Sequence, residues 1–125
     1  SKADRDININ RIGWIASVLA RNGVIAITAA ISPYRETRDA VRAMHDGNFV
    51  EIHVATPLEV CEERDVKGLY AKARAGKIPE FTGISAPYEE PEKPELVLET
   101  AKLSEAESVA AVIAYLEKHG YIAKA

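Results

Sequence analysis

Two hydroxyls, a cation-rich segment and one Arg–Asn pair are the residues whose type and spacing could do chemistry. Ser32 directly follows the apolar, β-branched run from Val24 to Ile31, and Thr56 follows a second such run, Phe49 to Ala55. In a parallel α/β sheet, ligands sit beyond the carboxyl ends of the strands, and both hydroxyls fall at that rim. Each hydroxyl can also cap the helix after it. Thr56 is assigned to capping alone, and Ser32 to capping together with a ligand-facing role. The segment from about residue 65 to 94 carries Lys67, Lys72, Arg74 and Lys77 among Gly68, Gly76 and Gly83 and four prolines. Connections this long are functional lids or carry no fixed structure. A basic, glycine-hinged excursion at the ligand rim suits closure over an anionic group. Arg5 and Asn8 are three apart and share one face of a predicted helix. A guanidinium reads anionic oxygens with paired donors, and an amide both donates and accepts.

The elements that must position these groups follow from spacing. Ser1 and Asp4 have capping-box spacing. Ile12, Ile15, Ala16 and Leu19 recur at helical intervals, and Asn22-Gly23 supplies a stop. Val24 to Ile31 does not alternate, which predicts a strand buried on both faces of a parallel sheet. Ser32-Pro33 predicts the start of a helix running to His45, closed by Asp46-Gly47. Phe49 to Ala55 is a second predicted strand. Thr56-Pro57, with Glu59 in capping-box position, predicts a helix to about Arg64, and Leu69 to Ala75 allows two helical turns. Glu95 to Thr100 is a third predicted strand. A capping box of Ser104 and Glu107 opens a last helix that ends near Gly120. Strands alternating with helices predict a parallel α/β sheet with flanking helices.

The 125-residue length predicts one domain. A net charge of −3 argues against a nucleic-acid partner. The single cysteine, Cys61, excludes an internal disulfide and reads as a small apolar filler. His45, His53 and His119 share no ligand spacing, so no protein metal site is expected. No run approaches the ~18 apolar residues of a membrane span.

Phosphoryl transfer on such a sheet commonly uses G-x-x-x-x-G-K-[ST], whose backbone amides and lysine hold the phosphates. The one Gly-Lys pair, Gly76-Lys77, is followed by Ile78 and has no glycine five residues before it. That motif, with its strand and helix, is expected to be missing from this chain.

Five blocks, in register, resemble one family. They are Ser1-Lys2-Ala3-Asp4-Arg5-Asp6-Ile7-Asn8-Ile9-Asn10-Arg11-Ile12; Ile31-Ser32-Pro33-Tyr34-Arg35; Thr56 through Arg74; Phe81-Thr82-Gly83-Ile84 with Pro87-Tyr88-Glu89-Glu90-Pro91; and Pro94 to Thr100. The likeness to adenylyl-sulfate kinases runs from Ser1 to about Ile122. It departs at Ile7 and Asn10, where the family often has Glu and Arg.

The resemblance implies a P-loop kinase type of fold (three-layer α/β/α) whose N-terminal P-loop unit lies outside this chain, with a lid at about residues 65–94. It implies transfer of the ATP γ-phosphoryl to the 3′-hydroxyl of adenosine 5′-phosphosulfate (APS), with Mg²⁺ as cofactor, in a cytoplasmic homodimer that serves sulfate assimilation. Carried over by residue, Arg5, Asn8, Ile31, Ser32 and Phe81 bind APS, with the Phe81 ring stacked on the adenine. Ser32 is the catalytic candidate. Arg64 lies over the ATP adenine, and Lys67, Lys72 and Arg74 offset phosphate charge from the lid. An aromatic before Ser1 and a general-base aspartate are expected outside the chain. The second reading is a catalytically incomplete, nucleotide-binding regulatory domain attached to an ATP sulfurylase.

Overall fold

A computed structural model describes all 125 residues, which divide into two compact units: Ser1–Phe49 with Lys72–Pro91, and Val50–Ala71 with Glu92–Ala125. The first unit is built on two helices. Helix α1, Lys2–Arg21, starts with the expected capping box, in which Ser1 Oγ accepts from the Asp4 amide and the Asp4 carboxylate returns to the Ser1 backbone. It ends at Asn22, and Gly23 then turns with φ +78°. Helix α2, Arg35–Ala43, crosses α1 closely. Gly13 is buried at the crossing, where a Cβ would stand 2.6 Å from both methyls of Val41. Ala16, Tyr34 and Val41 are buried residues of these two helices and the corner between them. At the start of α1, Lys2 Nζ sits 2.7 Å from Asp6 Oδ2 and 4.6 Å above the Tyr34 ring. The Thr37 hydroxyl donates to Asp6 Oδ1 at 2.6 Å, tying the two helix starts together.

The second unit holds the sheet. Strands β1, Ile52–Val54, and β2, Leu96–Leu98, pair in parallel, with His53 opposite Val97. The ladder is extended at its carboxyl end by the Ala55 amide donating to the Leu98 carbonyl at 2.9 Å. Leu98 is the buried residue of this unit. Helix α3, Leu58–Arg64, follows β1. Helix α4, Leu69–Arg74, supplies the two turns expected within the basic segment; its residues to Ala71 belong to this unit and those from Lys72 to the first. Helix α5, Glu105–Lys118, opens with the Ser104–Glu107 capping box and packs on β2.

Three expectations are corrected. Val24 to Ile31 is not a strand: it pairs with no neighbour, and Ile27 is 89% exposed. Apolar β-branched content favours extended backbone, but a strand exists only with a ladder partner, so the sheet has two strands where three were predicted. Ser32 does not cap α2. Tyr34 is its N-cap, without a side-chain bond, and Ser32 has φ +43°. Thr56 does not cap α3 either, and Pro57 takes that position. Because β1 and β2 end side by side, the Thr56 hydroxyl meets the Thr100 hydroxyl instead.

Two outcomes test the packing of α1 on α2. Gly13→Ala is expected to destabilise the fold by about 1–3 kcal/mol through overpacking, and a Val41→Ala background should remove most of that penalty. Thermal unfolding of the double-mutant cycle measures this; an unchanged midpoint for Gly13→Ala would contradict the close approach. The Lys2 ammonium, then the Thr37 hydroxyl, hold the Asp6 carboxyl below its ordinary value of 3.8. A depressed carboxyl stabilises above its unfolded value and loses that contribution as pH falls through the folded one. Below about pH 4 the difference in thermal midpoint between the wild type and Asp6→Asn should therefore shrink.

Candidate functional site

The start of α1 and two loops of the first unit enclose a cleft of about 330 Å³. That is the low end of the range for small-molecule sites, roughly 300–1,000 Å³. Arg5, Asn8 and Ile9 come from α1, Ala30 to Pro33 from the corner before α2, and Ile78 to Thr82 from the basic segment. Five residues predicted to form one substrate site, Arg5, Asn8, Ile31, Ser32 and Phe81, thus line one cavity.

Local folding explains each placement. Arg5 and Asn8 are one turn apart on α1, whose direction is set by the α2 contact. The Arg5 guanidinium donates to the Glu80 carbonyl, joining residues 75 apart in the chain. Phe81, next to Glu80, heads a tight turn. Its carbonyl accepts from the amides of Ile84, Ser85 and Ala86, and its amide donates to Ser85 Oγ at 2.8 Å. Gly83 completes the turn at φ +88°, with its amide bonded to the Ala86 carbonyl. Ser32 is half-buried, and its Oγ is fully covered and makes no hydrogen bond. An uncompensated buried hydroxyl costs about 1–3 kcal/mol, and such groups concentrate where a ligand completes them. Left-handed backbone at Ser32 and Glu80, two non-glycine residues of the cleft, adds strain of a kind found at binding sites.

The basic residues divide. Lys72 and Arg74 belong to the first unit, at the end of α4. Arg64 and Lys67 belong to the second, where Arg64 donates to the Thr100 carbonyl at 2.8 Å. None of the four lines the cleft. A larger concavity, about 650 Å³, runs along α5, but its lining is apolar apart from Glu105 and Glu117 and offers no cation to an anion.

Sequence reasoning gave no role to two residues that brace the cleft from behind. Arg38 Nη1 donates to the Ser32 carbonyl at 2.7 Å and Nη2 to the Glu89 carbonyl at 2.6 Å. Glu89 in turn donates from its amide to the Pro33 carbonyl and accepts from the Arg35 amide, both at 2.8 Å. The only signal was that Glu89 stands in a recognisable Pro87-Tyr88-Glu89 block; Arg38 looked like one more charge on a polar helix face.

Fold and cleft together define an α/β protein with a parallel sheet and a small cavity lined by Arg5, Asn8, Ser32 and Phe81. The family model for adenylylsulphate kinase matches residues 1–99. The adenylyl-sulfate kinase of Synechococcus sp. (strain JA-3-3Ab) is 57% identical over 122 residues, which are 98% of this chain and 69% of that relative. The structure of the Mycobacterium tuberculosis APS kinase CysC in complex with AMPPNP and APS superposes with a TM-score of 0.89 at 46% identity, over 94% of this chain and 69% of that one. A hexameric APS kinase from Thiobacillus denitrificans gives a TM-score of 0.69 at 42% identity, over 98% of this chain and 20% of its own. The chain belongs to the adenylyl-sulfate kinase family and has the P-loop kinase type of fold.

The positive φ of Glu80 yields a test of the cleft's backbone. Glu80→Gly keeps the carbonyl that Arg5 uses and removes the left-handed penalty, about 1–2 kcal/mol for an L-residue. Part of that gain is offset by the greater unfolded freedom of glycine. A thermal midpoint raised by a few degrees is expected; a lowered one would contradict the left-handed conformation.

Proposed function

We propose that the cleft between Arg5, Ser32 and Phe81 is the acceptor site of an adenylyl-sulfate kinase reaction, in which the γ-phosphoryl of ATP passes to the 3′-hydroxyl of APS. The observation that carries this reading is the convergence of a guanidinium, an amide, an unpartnered buried hydroxyl and an aromatic ring on one cavity. A nucleotide with two acidic groups needs those four things. Arg5 meets anionic oxygen with charge-assisted donors. Asn8 both donates to and accepts from ribose or base. Phe81 offers a face to the adenine, and base–aromatic stacking contributes about 1–3 kcal/mol.

Phosphoryl transfer needs in-line positioning and charge stabilisation more than covalent relay. Ser32 is accordingly read as a residue that holds and orients the acceptor. A serine nucleophile requires a base within hydrogen-bond reach, and Ser32 Oγ has no partner. Lys67, Lys72 and Arg74 are proposed to offset the charge of the ATP phosphates, and Arg64 to lie over the ATP adenine. The co-substrate brings a divalent cation, for which we propose Mg²⁺. No group of three or more His, Cys, Asp or Glu side chains in this chain could hold a metal ion. The residues present therefore do not form a cage for it, and no step is assigned to it. Mg²⁺ is characteristically held by substrate phosphates and water.

We also propose self-association. Trp14 is 59% exposed on α1, beside exposed Ile7 and Ile15, and a relative is hexameric. That relative's chain is about five times as long as the part matched here, which supports attachment of this unit to further domains in some members. No helix is long and apolar enough to cross a membrane.

Calorimetric titration with APS tests the acceptor site. Arg5→Ala is expected to weaken APS binding by roughly 10- to 150-fold, the equivalent of a charge-assisted hydrogen bond of about 1.5–3 kcal/mol. Phe81→Ala should weaken APS binding while leaving the thermal midpoint in place. Unchanged affinity in both variants would remove the cleft from the reaction, and collapse of the Phe81→Ala fold would make the ring a structural plug.

A further inference from the structure

We infer that Arg38, which lies outside the cleft, is a positioning residue for the acceptor nucleotide and acts by holding the Ser32 corner in its left-handed conformation. This rests on the reading of the cleft as the APS site.

Ser32 has φ +43°, a backbone state that L-residues rarely keep. Such strain persists only where surrounding contacts over-determine it. Here the contacts are specific. The Arg38 guanidinium spans two carbonyls, that of Ser32 at 2.7 Å and that of Glu89 at 2.6 Å. Glu89 closes the loop with its amide on the Pro33 carbonyl and its carboxylate on the Arg35 amide. The Tyr88 ring lies 5.9 Å from the guanidinium carbon and flanks it. Residues 32–35 are thus strapped to Glu89 by two direct bonds and by the Arg38 guanidinium, which bridges the Ser32 and Glu89 carbonyls.

The consequence is directional. Without Arg38 the Ser32 carbonyl loses its donor and the corner can relax to ordinary negative φ. That rotation turns the Ile31–Ser32 pair, and the covered Ser32 hydroxyl with it, away from Arg5, Asn8 and Phe81. Lys67, Lys72 and Arg74, proposed to meet the ATP phosphates, take no part in these bonds. Loss of Arg38 should therefore harm APS more than ATP. A lysine at the position can satisfy one carbonyl but not both, because the bidentate reach belongs to the planar guanidinium.

Steady-state kinetics on the enzyme carrying Arg38→Ala and Arg38→Lys, with Arg5→Ala as reference, decide the matter. Arg38→Ala should raise KM for APS roughly tenfold, the loss expected for one charge-assisted bond. KM for ATP should stay within about twofold, because no ATP contact is altered. Arg38→Lys should fall between wild type and Arg38→Ala, and it is the variant to read if Arg38→Ala does not fold. Equal rises in both KM values, or a lowered kcat with unchanged KM for APS, would overturn the inference. So would an unchanged KM for APS in both Arg38 variants while Arg5→Ala raises it, and in that case the acceptor-site reading survives. If Arg5→Ala also leaves KM for APS unchanged, the acceptor-site reading fails and takes the inference with it.

Discussion

The bond from the Arg5 guanidinium to the Glu80 carbonyl is the constraint on which the cleft depends. It ties the first turn of α1 to a loop 75 residues away and so sets one wall against the other. Everything that supports it is local. The capping box at Ser1 and Asp4 starts α1 where Arg5 falls in its first turns. The Asp6–Thr37 bond and the Gly13–Val41 approach fix the helix against α2. The turn after Phe81, with three amides on one carbonyl, holds the ring next to the residue that Arg5 grips. Since the guanidinium engages a neutral carbonyl through one nitrogen, its charge is not cancelled there, and its remaining donors can serve an anionic ligand.

Local signals were legible, and signals that depend on a distant partner were not. Both capping boxes, the Asn22-Gly23 stop, the short helix in the basic segment and the parallel pairing of two strands follow from residue type and spacing. The Val24 to Ile31 run has the composition of a buried strand, yet strand character resides in the ladder, and that segment has none. Thr56 and Ser32 show the same limit for caps. A hydroxyl before a helix bonds whichever group the tertiary fold brings nearest, which is Thr100 for one and no protein group for the other.

The site was legible to a different degree. Family resemblance assigns Arg5, Asn8, Ile31, Ser32 and Phe81 to one site, and all five line one cavity. Spacing alone paired only Arg5 with Asn8. The Arg38–Glu89 brace escaped notice because its partners are 51 residues apart and its acceptors are backbone carbonyls, which carry no sequence signature. Arg64 and Lys67 fall in the other compact unit from the cleft, so their proposed dealings with ATP rest on the resemblance and not on proximity to Ser32.

Backbone and side-chain NMR shifts followed through a titration with APS test the central claim most directly. The largest perturbations are expected at the Arg5 guanidinium, the Asn8 side-chain amide, the Ser32 amide and the Phe81 ring, with transferred contacts between that ring and the adenine protons. Perturbations gathered instead along α5, near Val109 and Ile113, with Arg5 and Phe81 unmoved, would contradict it.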